Sequence, residues 1–164
     1  GALMDAGSYP VSFVRTVAGE RPVRVHAMSR WAATGVDVTT LATLEFASGL
    51  LAQISSTFAT ARHRHAFIAG DAGSIATTYF NDTSATFPPL LDVRRGTGWD
   101  AQREMIETAA TSGFLAEAEA FHDLVRHGWK QWPGATTQES IDIAMTLDAL
   151  ADSARRGVAV AVPE

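Results

Sequence analysis

Three observations predict an α+β fold, an open, predominantly antiparallel β-sheet with helices packed on one face. Apolar and polar residues alternate with a period of two from Val23 to Phe58. Hairpin signals separate the successive runs. From Phe114 onward the apolar residues recur at helical spacing instead.

The elements follow in order. Leu3, Met4, Phe13, Val14 and Val17 predict a helix from Gly1 to Gly19, stopped by Gly19 ahead of Pro22. Pro10 has no N–H to donate, so it must kink this helix or mark a new first turn. The first strand places Val23, Val25, Ala27, Ser29 and Trp31 on one face. The second places Val38, Thr40, Ala42, Leu44 and Phe46 there, and after Ser48-Gly49 the third adds Leu50, Ala52, Ile54, Ser56 and Phe58. Strands at 66–69 and 74–80 flank the turn Gly70-Asp71-Ala72-Gly73. A short apolar run covers 90–93, and 102–110 reads as a further strand. A helix through Phe114, Ala118, Phe121 and Val125 stops at Gly128. Thr136 and Glu139 have capping-box spacing. They open a last helix striped by Ile143, Leu147, Leu150, Ala151 and Ala154, which stops at Gly157. Residues 158–162 suit an edge strand.

The opposite sheet face carries Thr39, Thr43, Gln53, Ser55 and Thr57 with Leu41 and Leu51, and His26 lies on it too. That mixture suits a partly wet subunit interface. A solvent-facing sheet with a few exposed leucines fits the same pattern.

Composition narrows the function. With 164 residues the chain is expected to form one domain, 1–164. Hydrophobic residues are 46% and charged residues 19%, which supports an ordinary core. A net charge of −5 argues against a nucleic-acid surface. No apolar run reaches the ~20 residues of a membrane span, and no signal peptide is readable. The chain has no cysteine, which removes disulfides and thiolate chemistry and fits a reducing compartment, the cytoplasm. Of the 13 basic residues only Lys130 is lysine. The opening Gly1-Ala2-Leu3-Met4 lacks an initiator methionine and reads as a piece of a longer polypeptide.

Asp5 and Tyr9 form the leading candidate pair. Four residues apart on a helix, they share a face roughly 6 Å apart along the axis. A phenol can exchange a proton with a substrate hydroxyl or carbonyl, and a carboxylate one turn away can orient it. The carboxylate alone raises the phenol's pKa, so the pair needs a nearby cation. Helix capping by Asp5 with edge packing by Tyr9 explains the spacing equally simply. His63 and His65 share a strand face, but Arg62 and Arg64 repel a cation there, so no metal site is expected. His122 and His127 read as surface residues. Trp129 and Trp132 around Lys130 either line a pocket or seal a loop. Asn81-Asp82-Thr83 matches a glycosylation acceptor. No phosphate-binding glycine loop, G-x-S-x-G or H-E-x-x-H occurs.

The segment Gly1-Ala2-Leu3-Met4-Asp5-Ala6-Gly7-Ser8-Tyr9-Pro10 resembles G-G-x-L-x-D-x-G-x-[HY], which opens the second domain of the Gfo/Idh/MocA oxidoreductases. The hairpin Val38–Phe46 with Ser48-Gly49 and Ala52-Gln53-Ile54 is similar to that family's central hairpin. Gly70-Asp71-Ala72-Gly73-Ser74-Ile75 and the helix from Glu139-Ser140 to Gly157 extend the likeness over the whole chain. Tyrosine at position 9, where many members have histidine, resembles the branch containing glucose-fructose oxidoreductase, dimeric dihydrodiol dehydrogenase and xylose dehydrogenase.

The resemblance implies a substrate-binding and dimerisation domain that works with an N-terminal Rossmann domain absent from this chain. That domain would hold NAD or NADP, and its E-K-P lysine, which Lys130 does not match, would complete the site. Tyr9 would be the general acid/base for a sugar, polyol or dihydrodiol, and Asp5 would orient the substrate. The domain alone would be inactive, and a homodimer through the open sheet face is expected. A non-catalytic, sheet-mediated interaction module is the alternative.

Overall fold

The computed structural model describes residues 1–61, 64–77, 90–108 and 112–163. His63, Arg62 and the Asn81-Asp82-Thr83 acceptor pattern lie outside them, as does the end of the strand expected over 74–80. The described residues fall into two compact units, Gly1–Thr60 with Ala135–Glu164, and Ala61–Gly134.

The first unit contains α1 (Ser8–Ala18), β1 (Pro22–Trp31), β2 (Asp37–Phe46), β3 (Leu51–Thr57), α3 (Thr137–Arg156) and β8 (Val160–Ala161). Its strands form one antiparallel sheet in the order β3-β2-β1-β8. The inward face carries Val25 and Ala27 of β1, Ala42, Leu44 and Phe46 of β2, and Ile54 of β3. Leu147, Leu150 and Ala151 of α3 and Val11 of α1 belong to the same core. The helices therefore cover one face, as the two periodicities predict.

Local chemistry sets the boundaries. Thr136 Oγ1 accepts from the Glu139 N–H at 3.2 Å, and the Glu139 carboxylate accepts from the Thr136 N–H at 2.7 Å, completing the capping box of α3. Gly157 ends that helix in the left-handed region at φ +68°, its N–H donating to Ser153 O. β8 reaches only Arg24 and Val25. Beyond it the Ala27 N–H is met by the buried Ser153 hydroxyl at 2.9 Å, which itself donates to Val158 O.

Two sequence expectations are corrected. The first helix begins at Ser8, not Gly1. Residues 2–7 form a hydrogen-bonded turn, and Pro10 sits at the third position of α1, where its missing N–H forfeits no intrahelical hydrogen bond. Val23 does not face inward with Val25. The β1–β2 register shifts between Pro22 and Arg24, so Pro22 is buried and Val23 is 45% exposed.

The second unit contains β4 (Phe67–Gly70), β5 (Gly73–Thr77), β6 (Leu90–Arg95), β7 (Gln102–Glu107) and α2 (Gly113–His127). Its strands form an antiparallel meander, β4-β5-β6-β7. Gly73 opens β5 at φ +148°, where a Cβ would fall 1.9 Å from Arg94 O, so the turn demands glycine. Arg103 pairs bidentately with Asp92 at 2.8 and 3.1 Å across β6 and β7. Trp129 and Trp132 meet edge-to-face, centroids 6.2 Å apart, on the one-turn 3₁₀ helix after α2. A Cβ on Gly134 would fall 2.4 Å from the Trp132 ring, while Trp129 is 67% exposed.

Candidate functional site

The N-terminal turn places the candidate pair at the surface. Asp5 lies in that turn, ahead of α1, and Tyr9 lies in the first turn of the helix. The two are therefore not successive residues of one helix, which corrects the geometry expected from their spacing. Both side chains are exposed, Tyr9 to 58%, and neither is buried beneath the core.

Glycines shape the turn. The Asp5 N–H donates to Gly1 O at 3.2 Å, the Gly7 N–H donates to Ala2 O at 2.9 Å, and Ser8 Oγ donates to Asp5 O at 2.7 Å. A Cβ on Gly7 would stand 2.3 Å from Leu3 O, and one on Gly1 would stand 1.8 Å from an Asp37 carboxylate oxygen. The spacing G-x-L-x-x-x-G is thus a packing requirement. Its leucine fills the core, since Leu3 is 2% exposed.

Two side-chain groups anchor this region. Arg15, one face of α1, donates to Glu139 at 2.8 Å and to Asp142 at 3.2 and 2.8 Å on α3. Burial pushes the Asp142 carboxyl up, but bonds from Gln138 and Arg15 outweigh it and hold it below the ordinary range. Bonds from Thr136, together with the Arg15 charge, hold the Glu139 carboxyl low as well. The second anchor is Asp37, at the start of β2, which receives the N-terminal turn through its carboxylate and carbonyl. Strict alternation extended back from Val38 would put Asp37 on the outward face. An extra β2 residue at the shift between Arg30 and Trp31 returns it to the buried side. A carboxylate beside a turn was the one available signal, and it is a weak one.

A shallow cleft of about 120 Å³ borders the turn, lined by Met4, Trp31, Val36 and Arg155 among others. The Arg155 guanidinium lies 5.8 Å from the centre of the Trp31 ring. Lys130 lies in the second unit, on the 3₁₀ turn. His122 and His127 are exposed on α2, and His65 is exposed as well. Among the described residues no three His, Asp or Glu side chains converge as metal ligands, and no helix is long and apolar enough to cross a membrane.

The outward face of the first sheet forms cross-strand rows: His26–Thr43–Gln53, Met28–Leu41–Ser55 and Arg24–Glu45–Leu51. Met28 is 70% exposed, Leu41 57% and Leu51 75%.

Comparison with known proteins bears on this arrangement. Residues 1–76 match the GFO/IDH/MocA C-terminal domain profile. Over 163 residues the chain is 31% identical to D-xylose 1-dehydrogenase (NADP(+)) 2 of Haloferax volcanii, covering 98% of this chain and 47% of that enzyme. A solved structure of KijD10, a 3-ketoreductase from Actinomadura kijaniata, is a lysine-to-alanine variant in complex with TDP-benzene and NADP. It is 25% identical, with a TM-score of 0.80 over 93% of this chain and 47% of its own. An oxidoreductase domain protein from Kribbella flavida matches at a TM-score of 0.82 and 19% identity, over 100% of this chain and 50% of its own. The chain thus spans about half the length of the relatives it matches. Residues 1–76 thus match the C-terminal domain of the GFO/IDH/MocA oxidoreductases, and the chain as a whole is similar to one half of such enzymes.

Proposed function

We propose that this chain is the substrate-binding and dimerisation half of an NAD(P)-dependent oxidoreductase acting on a sugar, polyol or dihydrodiol. The observation that carries the proposal is the identity to an NADP-linked sugar dehydrogenase, which runs along 98% of the chain. The nucleotide is held mainly by a partner Rossmann half of the same polypeptide, working in the cytoplasm, and that half sets the choice between NAD and NADP.

The exposed Asp5 and Tyr9 fit such a division, because a docked nucleotide half can reach them. The bound nicotinamide supplies or takes a hydride at the reacting carbon. Tyr9 Oη takes the hydroxyl proton as an alcohol becomes a carbonyl, and returns it in the reverse direction. Asp5 accepts a hydrogen bond from a substrate hydroxyl and fixes which carbon faces the phenol. Asp5 also brings negative charge to the reacting hydroxyl. A cation from the partner half, the family's E-K-P lysine, is the group that offsets it. Arg15 does not serve, since Glu139 and Asp142 occupy it.

Joined to its nucleotide-binding half, the protein is expected to oxidise a member of an aldose and polyol panel. Tyr9→Phe should then lower kcat by about 10²–10⁴-fold. Full turnover in that variant refutes the assignment. The outward face of the first sheet, with Met28 and Leu41 at its centre, is the proposed homodimer surface.

A further inference from the structure

We infer that Asp37 is a positioning residue for Asp5 and Tyr9, acting through the N-terminal turn; this rests on the reading of that pair given above. Asp37 is only 9% exposed. A buried carboxylate is costly unless donors meet it. Here Oδ2 accepts from the Leu3 N–H at 2.6 Å and from Thr40 Oγ1 at 3.2 Å, while the Asp37 carbonyl accepts from the Ala2 N–H at 2.9 Å. The 2.6 Å bond is short, as charge-assisted bonds are. Behind it, Ser29 Oγ lies 2.7 Å from Thr40 Oγ1, so β1 and β2 brace the carboxylate from below.

The grip falls on the residues that shape the Asp5 turn. Ala2, held by the Asp37 carbonyl, presents the oxygen that receives the Gly7 N–H. Gly1, pressed against the carboxylate, presents the oxygen that receives the Asp5 N–H. Gly7 in turn receives the Val11 N–H inside α1. One carboxylate therefore sets the path of the backbone from Gly1 into the helix that carries Tyr9. Proton transfer is sensitive to such placement, and a displacement of about 1 Å can cost about 10²-fold in rate. A supporting residue on a sheet suits the need for a rigid frame under a site.

The first test is amide hydrogen exchange on this chain. Asp37→Ala should speed exchange at the Asp5 and Gly7 amides at least about tenfold while Leu147 and Leu150 of α3 stay protected. Asp37→Asn, which keeps an acceptor oxygen, should restore protection. Unchanged exchange at Asp5 and Gly7 overturns the inference. If Asp37→Ala does not fold, Gly1→Ala disturbs the same contact and is measured in its place.

The second test is a double-mutant cycle in the polypeptide carrying both halves. Asp37→Ala should lower kcat about 10–100-fold with KM changed less than about threefold, and should add almost nothing on a background carrying both Asp5→Asn and Tyr9→Phe. Equal effects on both backgrounds overturn the inference. Should Asp5→Asn and Tyr9→Phe leave kcat untouched, the site assignment fails instead, and the exchange result still decides whether Asp37 holds the turn.

Discussion

Arg15→Met cuts the ion pairs between α1 and α3 while keeping the length of the side-chain stem. In the native chain Arg15 is 13% exposed and Asp142 8% by side chain, and Asp142 Oδ2 receives two bonds from the guanidinium. Removing one partner of a buried pair costs about 3–5 kcal/mol, because the other charge is left uncompensated. Two features moderate that cost. Gln138 still donates to Asp142 Oδ1 at 3.0 Å, and the Glu139 side chain, 35% exposed, can turn to water. The expected loss is therefore about 3 kcal/mol, or roughly 9 °C in Tm for a chain of this size. The loss should depend on pH. The folded state holds the Asp142 carboxyl below its usual value of 3.8, so its stabilisation is present above that value and disappears as pH falls through the lower folded one. Urea unfolding at neutral pH should show the full gap between native chain and variant, and the gap should narrow below the usual carboxylate range. A difference under about 0.5 kcal/mol, or one that ignores acid, refutes the argument.

Leu150 is fully buried in α3, so Leu150→Ala should cost about 2–5 kcal/mol in urea unfolding. Thr136→Ala removes the acceptor of the Glu139 N–H and should cost about 1 kcal/mol. Bonds from Thr136 hold the Glu139 carboxyl below its usual 4.5, so its half of the cap works above that value and fails as pH falls through the lower one. Hydrogen exchange at the Thr136 amide should quicken in acid, and in Glu139→Gln it should lose that acid dependence. Leu41→Arg places charge opposite Met28 on the outward sheet face, and sedimentation should find a dimer for the native chain and a monomer for the variant. A native chain that is already monomeric excludes this face as the homodimer surface.

The fold was legible where local rules and tertiary packing agree. The alternation of Ala42, Leu44 and Phe46 reports a half-buried strand directly, and Thr136 with Glu139 marks the start of α3 by chemistry contained in four residues. The beginning of α1 was not legible. Leu3 and Met4 have helical spacing, but Leu3 donates its N–H to Asp37 on a different element, a bond with no trace in local periodicity. Val23 was misplaced for a similar reason, because a register shift depends on the pairing of two strands. α2 forms as its spacing predicts, yet Phe114, Phe121 and Val125 on its apolar stripe are 61–80% exposed, since spacing specifies a face and not what covers it. At the site, Asp5 and Tyr9 were singled out by a motif. Asp37, which bonds to the turn that carries Asp5, was not, since its partners lie far away along the chain.

The first unit is discontinuous in sequence, and this bears on biosynthesis. Its strands β1 to β3 leave the ribosome well before α3, which covers them, and β8, which flanks β1, because residues 61–134 intervene. Until Thr137–Arg156 emerges, Val25 and Leu44 lack the helix they pack beneath. Nascent chains stalled before Ala135 should therefore stay open to proteases and chaperones, and this unit cannot close over its sheet until α3 has emerged.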